Sequence, residues 1–405
     1  MLLLVSIVNF ADRFLLTGLI GPIKAEFGLG DGMMGLLMGP AFVILYVTAG
    51  IPLAWLADRW SRTLIIAFGC VSWSVATIAT GMATNEVALV IARACVGIGE
   101  AAFAAPAYSL LADYFKPQRR GIAFAILGMA TYFGQILGQA GGPAIAAVYD
   151  WRMAFYSLGG IGIGLGLLLA LLVREPVRII GVTTTAAHVS IVRLIGILGR
   201  NYSFVLMMLA FGLGAMSGIS FGFWGPELFA RNYGVDPLTA KTSFAINFGM
   251  AGLLGTLIFG VVSDKMAKKG MHWPVRLSAI AMGVATIVIL AVTWSTSFTL
   301  AKWLAVPSGL LGGGWAVGIY STLQYILPGK FRATATALFL AITTLLSYLT
   351  GPWVTGLLSQ AFGNDQDSLK LALTIMIPIG LIAAIIAAFA SLRIEKDKAL
   401  LETNG

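Results

Sequence analysis

The sequence is poor in the residues that soluble proteins place on their surfaces and in their active sites. Only 11% of its 405 residues are charged, and it has two Cys and two His. Soluble domains carry about 25% charged residues, and a chain with so few could not cover its surface with polar groups. The composition therefore excludes a soluble enzyme, a nucleic-acid-binding protein and a disordered scaffold.

The scarcity of Cys and His also argues against metal or cofactor chemistry. Cys70 and Cys95 lie in separate apolar segments without the spacing of metal ligands. No set of nucleophile, base and acid can be assembled from the sequence. We therefore predict that the protein is not an enzyme and has neither a metal site nor a cofactor.

The sequence is rich instead in long apolar runs, and 59% of its residues are hydrophobic. A helix needs about 20 mostly apolar residues to cross a bilayer, whereas a membrane β-barrel would show short alternating strands. We predict an all-α polytopic membrane protein with twelve transmembrane helices. The predicted spans are 2–22, 33–57, 63–83, 87–111, 121–148, 153–173, 203–225, 239–262, 274–294, 299–326, 333–359 and 370–392.

The basic residues predict the orientation of the chain. Most of the 26 Lys and Arg fall in loops on the side of the N-terminus, which the positive-inside rule assigns to the cytoplasm. We therefore predict cytoplasmic termini, in the inner membrane of a bacterium. The opposite side holds far fewer basic residues: Lys24, Arg152, Arg231, Lys241, Lys302 and Lys370.

The chain is predicted to consist of two halves. The longest polar interval, 174–202, separates six spans from six, and short motifs recur in matching order after spans two and eight and after spans four and ten. Such repeats are typical of transporters with two pseudo-symmetric bundles. We predict six-helix bundles at 1–173 and 203–393, a cytoplasmic linker at 174–202 with an interfacial helix, and a cytoplasmic tail at 394–405.

These motifs resemble those of a known family. Ala54–Arg62 and Gly260–Lys269 are similar to the loop signature of the major facilitator superfamily, and Arg93 with Gly97 is similar to its fourth-helix motif. Within it, the segments Asn9–Phe14 and Gly97–Ala102 resemble the Spinster branch. The first loop departs from the pattern, with Ala54 and Ser61 at usual glycine positions and Thr63 at a basic one. The resemblance implies a proton-coupled secondary transporter of lysophospholipids or sphingoid-type lipids.

Four ionisable residues are clear cases of a charge well inside a predicted span, where a charge is costly and indicates function. They are Asp12 and Arg13 in span one, and Arg93 and Glu100 in span four. Arg93 and Glu100 are seven residues apart, so they share a helix face. We predict that Asp12 and Glu100 carry protons and that Arg93 modulates them. A static ion pair that fixes helix packing is the alternative.

Milder polar groups predict where a substrate would lie. The second half has no carboxylate or base in the middle of a span. An ionisable half that faces an apolar, hydroxyl-bearing half suits an amphipathic, lipid-like substrate. For any single Ser or Thr, a hydrogen bond to its own helix is the simpler explanation. The predicted cavity residues are Asn9, Arg13, Tyr46, Tyr132, Gln135, Ser217, Asn247, Tyr320, Thr344 and Ser347.

A cytoplasmic gate is predicted at the repeated loop motifs. A carboxylate at the end of a span can pair with loop arginines and with the N-terminus of the next helix. In the superfamily that the motifs resemble, this contact holds the inner side closed. The predicted gate residues are Asp58, Arg59, Arg62, Arg119, Arg120, Asp264 and Lys265.

The sequence thus predicts a monomeric transporter that works by rocker-switch alternating access. Its partners would be protons, an amphipathic substrate and membrane lipids, with no nucleic acid. A proton-driven drug or organic-anion carrier is one alternative. An uncoupled lipid scramblase or channel-like pore is another, although passive flow would need no buried titrating group.

Overall fold

The computed structural model describes residues 1–176, 191–328 and 332–404, and the regular structure of these residues is entirely helical. A few helical side chains, including that of Asp58, lie outside the described part. The prediction of an all-α fold is confirmed.

Twelve helical segments follow the predicted spans. Their bounds are as follows: span one, Leu2–Gly18 and Ile20–Phe27; span two, Asp31–Met38 and Pro40–Arg59; span three, Arg62–Gly81; span four, Glu86–Glu100 and Ala104–Tyr114; span five, Pro117–Gly128, Ala130–Ile136, Leu137–Gly141 and Gly142–Val148; span six, Trp151–Leu172; span seven, Tyr202–Asn232; span eight, Pro237–Ala267; span nine, His272–Thr293; span ten, Phe298–Ile326; span eleven, Arg332–Ala361; span twelve, Ser368–Met376 and Ile379–Ala390. A linker helix, Ile191–Gly199, and a C-terminal helix, Ile394–Asn404, complete the order.

The lengths and compositions of these helices agree with a membrane protein. Among the described residues, 10 helices are long and apolar enough to cross a bilayer, or 11 if the two bent pieces of span one are counted together. Span ten, with 29 residues, has the length to cross as well. The predicted series of spans is therefore present, with ends that differ by a few residues.

Five spans are divided into shorter helices, and spans one, two and five show how Gly and Pro mark such interruptions. Span one bends by 56° between Gly18 and Ile20, just before Gly21-Pro22. Span two restarts at Pro40, and Pro is favoured at the first turn because it has no N–H to leave unpaired. Span five contains a π-helical turn, Leu137–Gly141, next to Gly142-Pro143. Such turns mark places where a helix can change shape.

Glycines bring the helices that carry the buried charges close together. A Cβ on Gly138 of span five would lie 2.6 Å from the carbonyl oxygen of Ala11, and one on Gly99 of span four would lie 2.6 Å from the amide nitrogen of Trp73. Both distances are shorter than van der Waals contact. Small residues thus let span five pack against span one and span four against span three, as is usual between membrane helices.

The described chain divides into two compact units that do not follow chain order. Unit 1 comprises Met1–Ile179, Phe223–Met250 and Tyr348–Ala372, and unit 2 comprises the rest of the chain. Unit 1 therefore includes parts of spans seven, eight, eleven and twelve together with the N-terminal spans. The predicted boundaries at 173 and 203 remain predictions.

The linker helix and the C-terminal helix both belong to the core of unit 2. Leu194 and Leu198 of the linker helix are buried in a cluster that also contains Ile394 and Leu401. Asp397 is buried, and its carboxylate accepts hydrogen bonds of 2.7 Å from the backbone and the hydroxyl of Ser203, at the start of span seven. The segment predicted as a tail is therefore a packed helix that caps a span.

Candidate transport site

The four predicted intramembrane charges meet in unit 1, where we call them the midspan cluster: Asp12, Arg13, Arg93 and Glu100. Arg13 is 9% exposed and the other three residues are 1% exposed. Arg93 Nη1 lies 2.8 Å from Asp12 Oδ1, and Arg13 Nε lies 2.6 Å from Glu100 Oε2. Two ion pairs thus join consecutive residues of span one to residues two turns apart on span four.

The sequence left the partners of these charges open. Arg93 and Glu100 share a face of span four, as their spacing predicts, and each forms its ion pair with span one. The long side chain of Arg13 reaches Glu100. The reason is that span four presents both charges to span one, so each buried charge finds an opposite charge across the interface.

The two carboxylates have different surroundings. Asp12 uses both oxygens, since Oδ1 binds Arg93 and Oδ2 accepts a hydrogen bond from the Thr77 hydroxyl. Glu100 uses only Oε2. Its other oxygen, Oε1, is buried and has no hydrogen-bond partner in the described part of the chain. Glu100 is therefore the carboxylate with a position open for a proton or a further ligand.

Aromatic rings surround the Arg13 guanidinium. Its Cζ lies 5.1 Å from the ring centre of Phe10, 4.9 Å from that of Phe42 and 4.7 Å from that of Tyr46. Cation–π attraction at these distances stabilises a guanidinium that has left water. Arg13 thus retains favourable contacts even when its carboxylate partner is neutral.

The predicted cavity residues are divided between the units. Asn9, Arg13 and Tyr46 line one cavity together with Glu100. Gln135 is buried and donates a 3.3 Å hydrogen bond to Gln139. Tyr132 and Asn247 are half-buried in unit 1.

The remaining predicted cavity residues belong to unit 2. Ser217 donates a 2.9 Å hydrogen bond to the carbonyl of Ile377, and Ser347 donates one of 2.8 Å to that of Thr343 on its own helix. Tyr320 packs against Phe211, and Thr344 is half-buried. Whether all ten residues face one substrate remains a prediction.

One predicted gate residue, Arg62, is the centre of an ionic cluster in unit 1. Its Nη1 lies 2.5 Å from Asp113 Oδ2, and its Nε lies 2.7 Å from Glu175 Oε1. Glu175 also accepts hydrogen bonds from the Thr63 amide at 2.9 Å and from the Ser61 hydroxyl at 3.0 Å. We call these five residues the Arg62 cluster. It joins the start of span three to the ends of spans four and six.

The hydrogen bonds of the Arg62 cluster favour the charged form of Glu175. Partial burial of Glu175 opposes its charged form, but the Thr63 amide, Arg62 and the Ser61 hydroxyl all donate to the carboxylate. The net effect holds the pKa of Glu175 below its ordinary value. Glu175 was not predicted, although it directly follows a span and precedes Pro176.

The other predicted gate residues have varied places. Arg59 stacks on Trp55, with its Cζ 3.7 Å from the ring centre. Arg120 donates a 3.2 Å hydrogen bond to the Phe115 carbonyl, whereas Arg119 is exposed. Asp264 and Lys265 are exposed and have no ion pair within the described ranges. The predicted role of Asp58 falls on a side chain outside the described residues.

A second ionic cluster was missed by the sequence analysis. Lys24, Asp31, Glu227, Arg231 and Lys241 form a chain of alternating charges in unit 1, which we call the Asp31 cluster. Lys24 pairs with Asp31, and Arg231 holds both oxygens of Asp31 at 2.7 Å. Arg231 also lies 2.9 Å from Glu227, which lies 3.2 Å from Lys241.

The Asp31 cluster is extended by polar groups at helix ends. Lys241 donates a 2.9 Å hydrogen bond to the Gly18 carbonyl at the bend of span one. Ser359 donates one of 2.7 Å to Asp31. At the start of span two, the amides of Asp31 and Gly32 donate 3.0 Å hydrogen bonds to Asn364 and Gln360. Spans one and two are thereby tied to spans seven, eight and eleven.

The sequence holds a weak signal for the Asp31 cluster. Its three cations belong to the few basic residues on the side predicted to be external, and Glu227 precedes Arg231 by one helical turn. Glu227 is buried. The partners come from four different spans, so their meeting follows from the fold and not from local sequence.

Twelve apolar helices with charge pairs buried between them define a polytopic membrane transport protein. Residues 2–347 match the Major Facilitator Superfamily, and the chain belongs to that superfamily. It is therefore an integral membrane transporter.

Individual relatives support this assignment. An efflux pump of Mycolicibacterium smegmatis is 28% identical over 98% of this chain and 92% of its own length. Spinster homolog 1 of Mus musculus is 26% identical over 97% of this chain and 80% of its own. The similarity to Spinster proteins expected from the N-terminal motifs is thus confirmed.

Solved structures share the fold. A bacterial homologue of the human lysosomal transporter Spinster, in an inward-facing and unoccupied conformation, superposes with a TM-score of 0.87. It has 24% identity, and the match covers 98% of this chain and 96% of that one. A D-xylose–proton symporter superposes with a TM-score of 0.74 at 18% identity, over 95% of each chain.

Proposed function

We propose that this protein is a proton-coupled secondary transporter of an amphipathic, lysophospholipid-like substrate. The observation that carries the proposal is the midspan cluster, in which two carboxylates and two guanidinium groups are buried as ion pairs between spans one and four. A buried charge that loses its partner is strongly destabilised. Protonation of either carboxylate would therefore favour a rearrangement of the helices that gives the arginine new partners.

Proton binding and substrate binding would be linked through Arg13. When Glu100 takes up a proton, Arg13 loses a charged partner but keeps its aromatic neighbours. It would then be available to a phosphate or carboxylate headgroup, since a guanidinium binds such groups through paired hydrogen bonds. Release of the proton would restore the ion pair and displace the headgroup.

The Asp31 cluster supports an alternating-access cycle. On the predicted orientation it lies on the external side, where its contacts hold spans one and two against spans seven, eight and eleven. In a rocker-switch cycle, the external side must be closed in the states that are open to the cytoplasm. The Arg62 cluster, on the predicted cytoplasmic side, holds the ends of spans four and six to the start of span three. We infer that the termini are cytoplasmic and that the protein is a monomer of a bacterial inner membrane.

A lipid substrate is supported by similarity to Spinster proteins. A second candidate, a proton-driven drug or organic-anion carrier, is favoured by the similarity to an efflux pump at 28% identity. Transport assays in liposomes distinguish the two when a labelled lysophospholipid is compared with a panel of cationic and anionic drugs under the same proton gradient.

The test of proton coupling is the substitution Asp12→Asn in the reconstituted full chain. We expect uphill uptake of labelled lysophospholipid driven by a proton gradient to be lost, while counterflow exchange without a gradient continues. Asp397→Asn is the matched control, because it removes a buried carboxylate that lies outside the midspan cluster. Retention of uphill uptake in Asp12→Asn would overturn the role of Asp12. If the wild type and Asp12→Asn let labelled lysophospholipid leak downhill at the same rate, an uncoupled pore is favoured instead.

A further inference from the structure

Glu100 is one of the residues that line a cavity of about 90 Å³. Its walls come from spans one, two, four and five and include Asn9, Glu100, Tyr108 and Gly128. A water molecule needs about 10–15 Å³ of this kind of volume. The cavity is therefore large enough for several water molecules and too small for a lipid headgroup with its chain.

Two of the residues that line the cavity each carry a buried polar atom without a hydrogen-bond partner among the described residues. These atoms are Nδ2 of Asn9, which is a donor, and Oε1 of Glu100, which is an acceptor. Asn9 is 2% exposed and Glu100 is 1% exposed. Buried polar groups are paired in the great majority of cases. Water can accept from Asn9 and donate to Glu100, so it satisfies both atoms.

The cavity extends from these buried atoms towards one end of the helices. Tyr108, which is 43% exposed, lies in the last turns of span four, which ends at Tyr114. Gly128, also exposed, lies in the first half of span five, which begins at Pro117. Both positions are on the predicted cytoplasmic side of Glu100. The lining thus runs from a buried carboxylate to exposed residues on that side.

We propose that this cavity is a water-binding site through which protons from the cytoplasmic side reach Glu100, and that Asn9 is the positioning residue for the water. The proposal rests on the proton-coupled function proposed above. A hydronium ion in the cavity breaks one O–H bond, Glu100 Oε1 forms a new one, and neutral water remains. Oε2 stays against Arg13 during this transfer, because the two oxygens face different partners.

The test follows the exchange of the Glu100 proton in the purified full chain in liposomes, without any substrate. Infrared spectroscopy records the carboxyl C=O band that Glu100→Gln removes, while the solvent is switched from H₂O to D₂O. Asn9→Leu removes the donor and fills the cavity. Gly128→Val fills it from another helix, where a Cβ would meet no atom within 4 Å. Ser74→Ala is the control, since its buried, unpaired hydroxyl belongs to span three and lies outside this cavity.

We expect exchange to slow by about tenfold or more in Asn9→Leu and in Gly128→Val, because each displaces the water and the loss of one hydrogen bond corresponds to about a factor of ten. Ser74→Ala should exchange at the wild-type rate. Wild-type rates in both cavity variants, or equal slowing in Ser74→Ala, would overturn the water site. If Asn9→Leu fails to fold, Gly128→Val alone decides the question. Absence of a Glu100 band at any pH would overturn the proposed proton carrier itself.

Discussion

Each charge of the midspan cluster is held by a residue on another helix, so its stability depends on one particular partner. Removing one member of a buried ion pair leaves an uncompensated charge in a medium of low polarity. Replacing both members with apolar residues removes the pair and leaves no uncompensated charge. The crossed arrangement of Asp12 with Arg93 and of Arg13 with Glu100 can therefore be tested by combining substitutions.

Arg13→Leu should destabilise the protein by about 3–5 kcal/mol, because it leaves Glu100 buried without its cation. The double substitution Arg13→Leu with Glu100→Leu should recover most of this loss. Unfolding free energies in the same detergent give the comparison. Arg13→Leu with Asp12→Leu is the matched control. If it recovers as much stability as the first double variant, the pairing described here is wrong.

The sequence identified these four residues because a charge stands out within an apolar run. It did not identify their partners. Pairing depends on how each helix is rotated about its axis and on how far each side chain extends, and neither is encoded in the spacing along one helix. Arg93 and Glu100 share a face as predicted, and this face meets span one, where each of them finds its partner.

At the level of the elements, the ends of the helices are joined by side chains that cap them. Glu175 accepts from the amide of Thr63 at the start of span three, and Asp397 accepts from that of Ser203 at the start of span seven. The first amides of a helix have no partner within it, and a carboxylate is favoured at this end by the helix dipole. Segments that follow a span thus stabilise the beginning of another one.

Glu175 should make the stability of the protein depend on pH. Its folded-state pKa is lower than its ordinary value, so its contribution is complete above the unfolded pKa of about 4.5 and is lost as pH falls through the folded pKa. Glu175→Gln should therefore lower the unfolding temperature at neutral pH. The difference in unfolding temperature between Glu175→Gln and the wild type should decrease progressively below about pH 4.5. A gap that stays constant down to pH 3 would contradict this role.

Most element bounds could be predicted from the sequence, whereas the interruptions could not. Apolar runs of the required length predict spans directly. The break before Pro40 and the π-helical turn at Leu137–Gly141 lie inside such runs. The Gly and Pro residues beside them indicate a weakened helix, but they do not specify whether it breaks or changes its hydrogen-bond pattern. The π-helical turn includes Gly138, where span five packs closely against span one.

At the scale of the whole molecule, the Asp31 cluster joins helices that are far apart in the chain. Lys24 and Asp31 come from the first two spans, and Glu227, Arg231 and Lys241 from the seventh and eighth. The local motifs of the sequence predict the two repeats of the fold. They do not predict the Asp31 cluster, whose residues join spans one and two to spans seven and eight. This cluster is therefore the part of the candidate site that required the structure.

Asp31→Asn should weaken the closure of this side, because truncating one partner of a buried charge pair costs about 2–5 kcal/mol. Spin labels at positions 25 and 366, beside the cluster, should show an added population at longer distances. Asp367→Asn is the control, since its ion pair with Lys370 is exposed and such pairs contribute little. An unchanged distance distribution in Asp31→Asn would exclude the cluster as a latch.

The burial of the Asp31 cluster has a consequence for the conditions in which the protein works. Dissolved salt screens exposed charges over a Debye length of about 8 Å at physiological ionic strength, but it screens buried pairs far less. Asp31 has no exposed surface, and Glu227 and Lys241 are 6% and 4% exposed. The attraction within the cluster should thus be nearly the same in dilute and in salty surroundings. On the predicted orientation, changes in external salt should therefore alter this contact little.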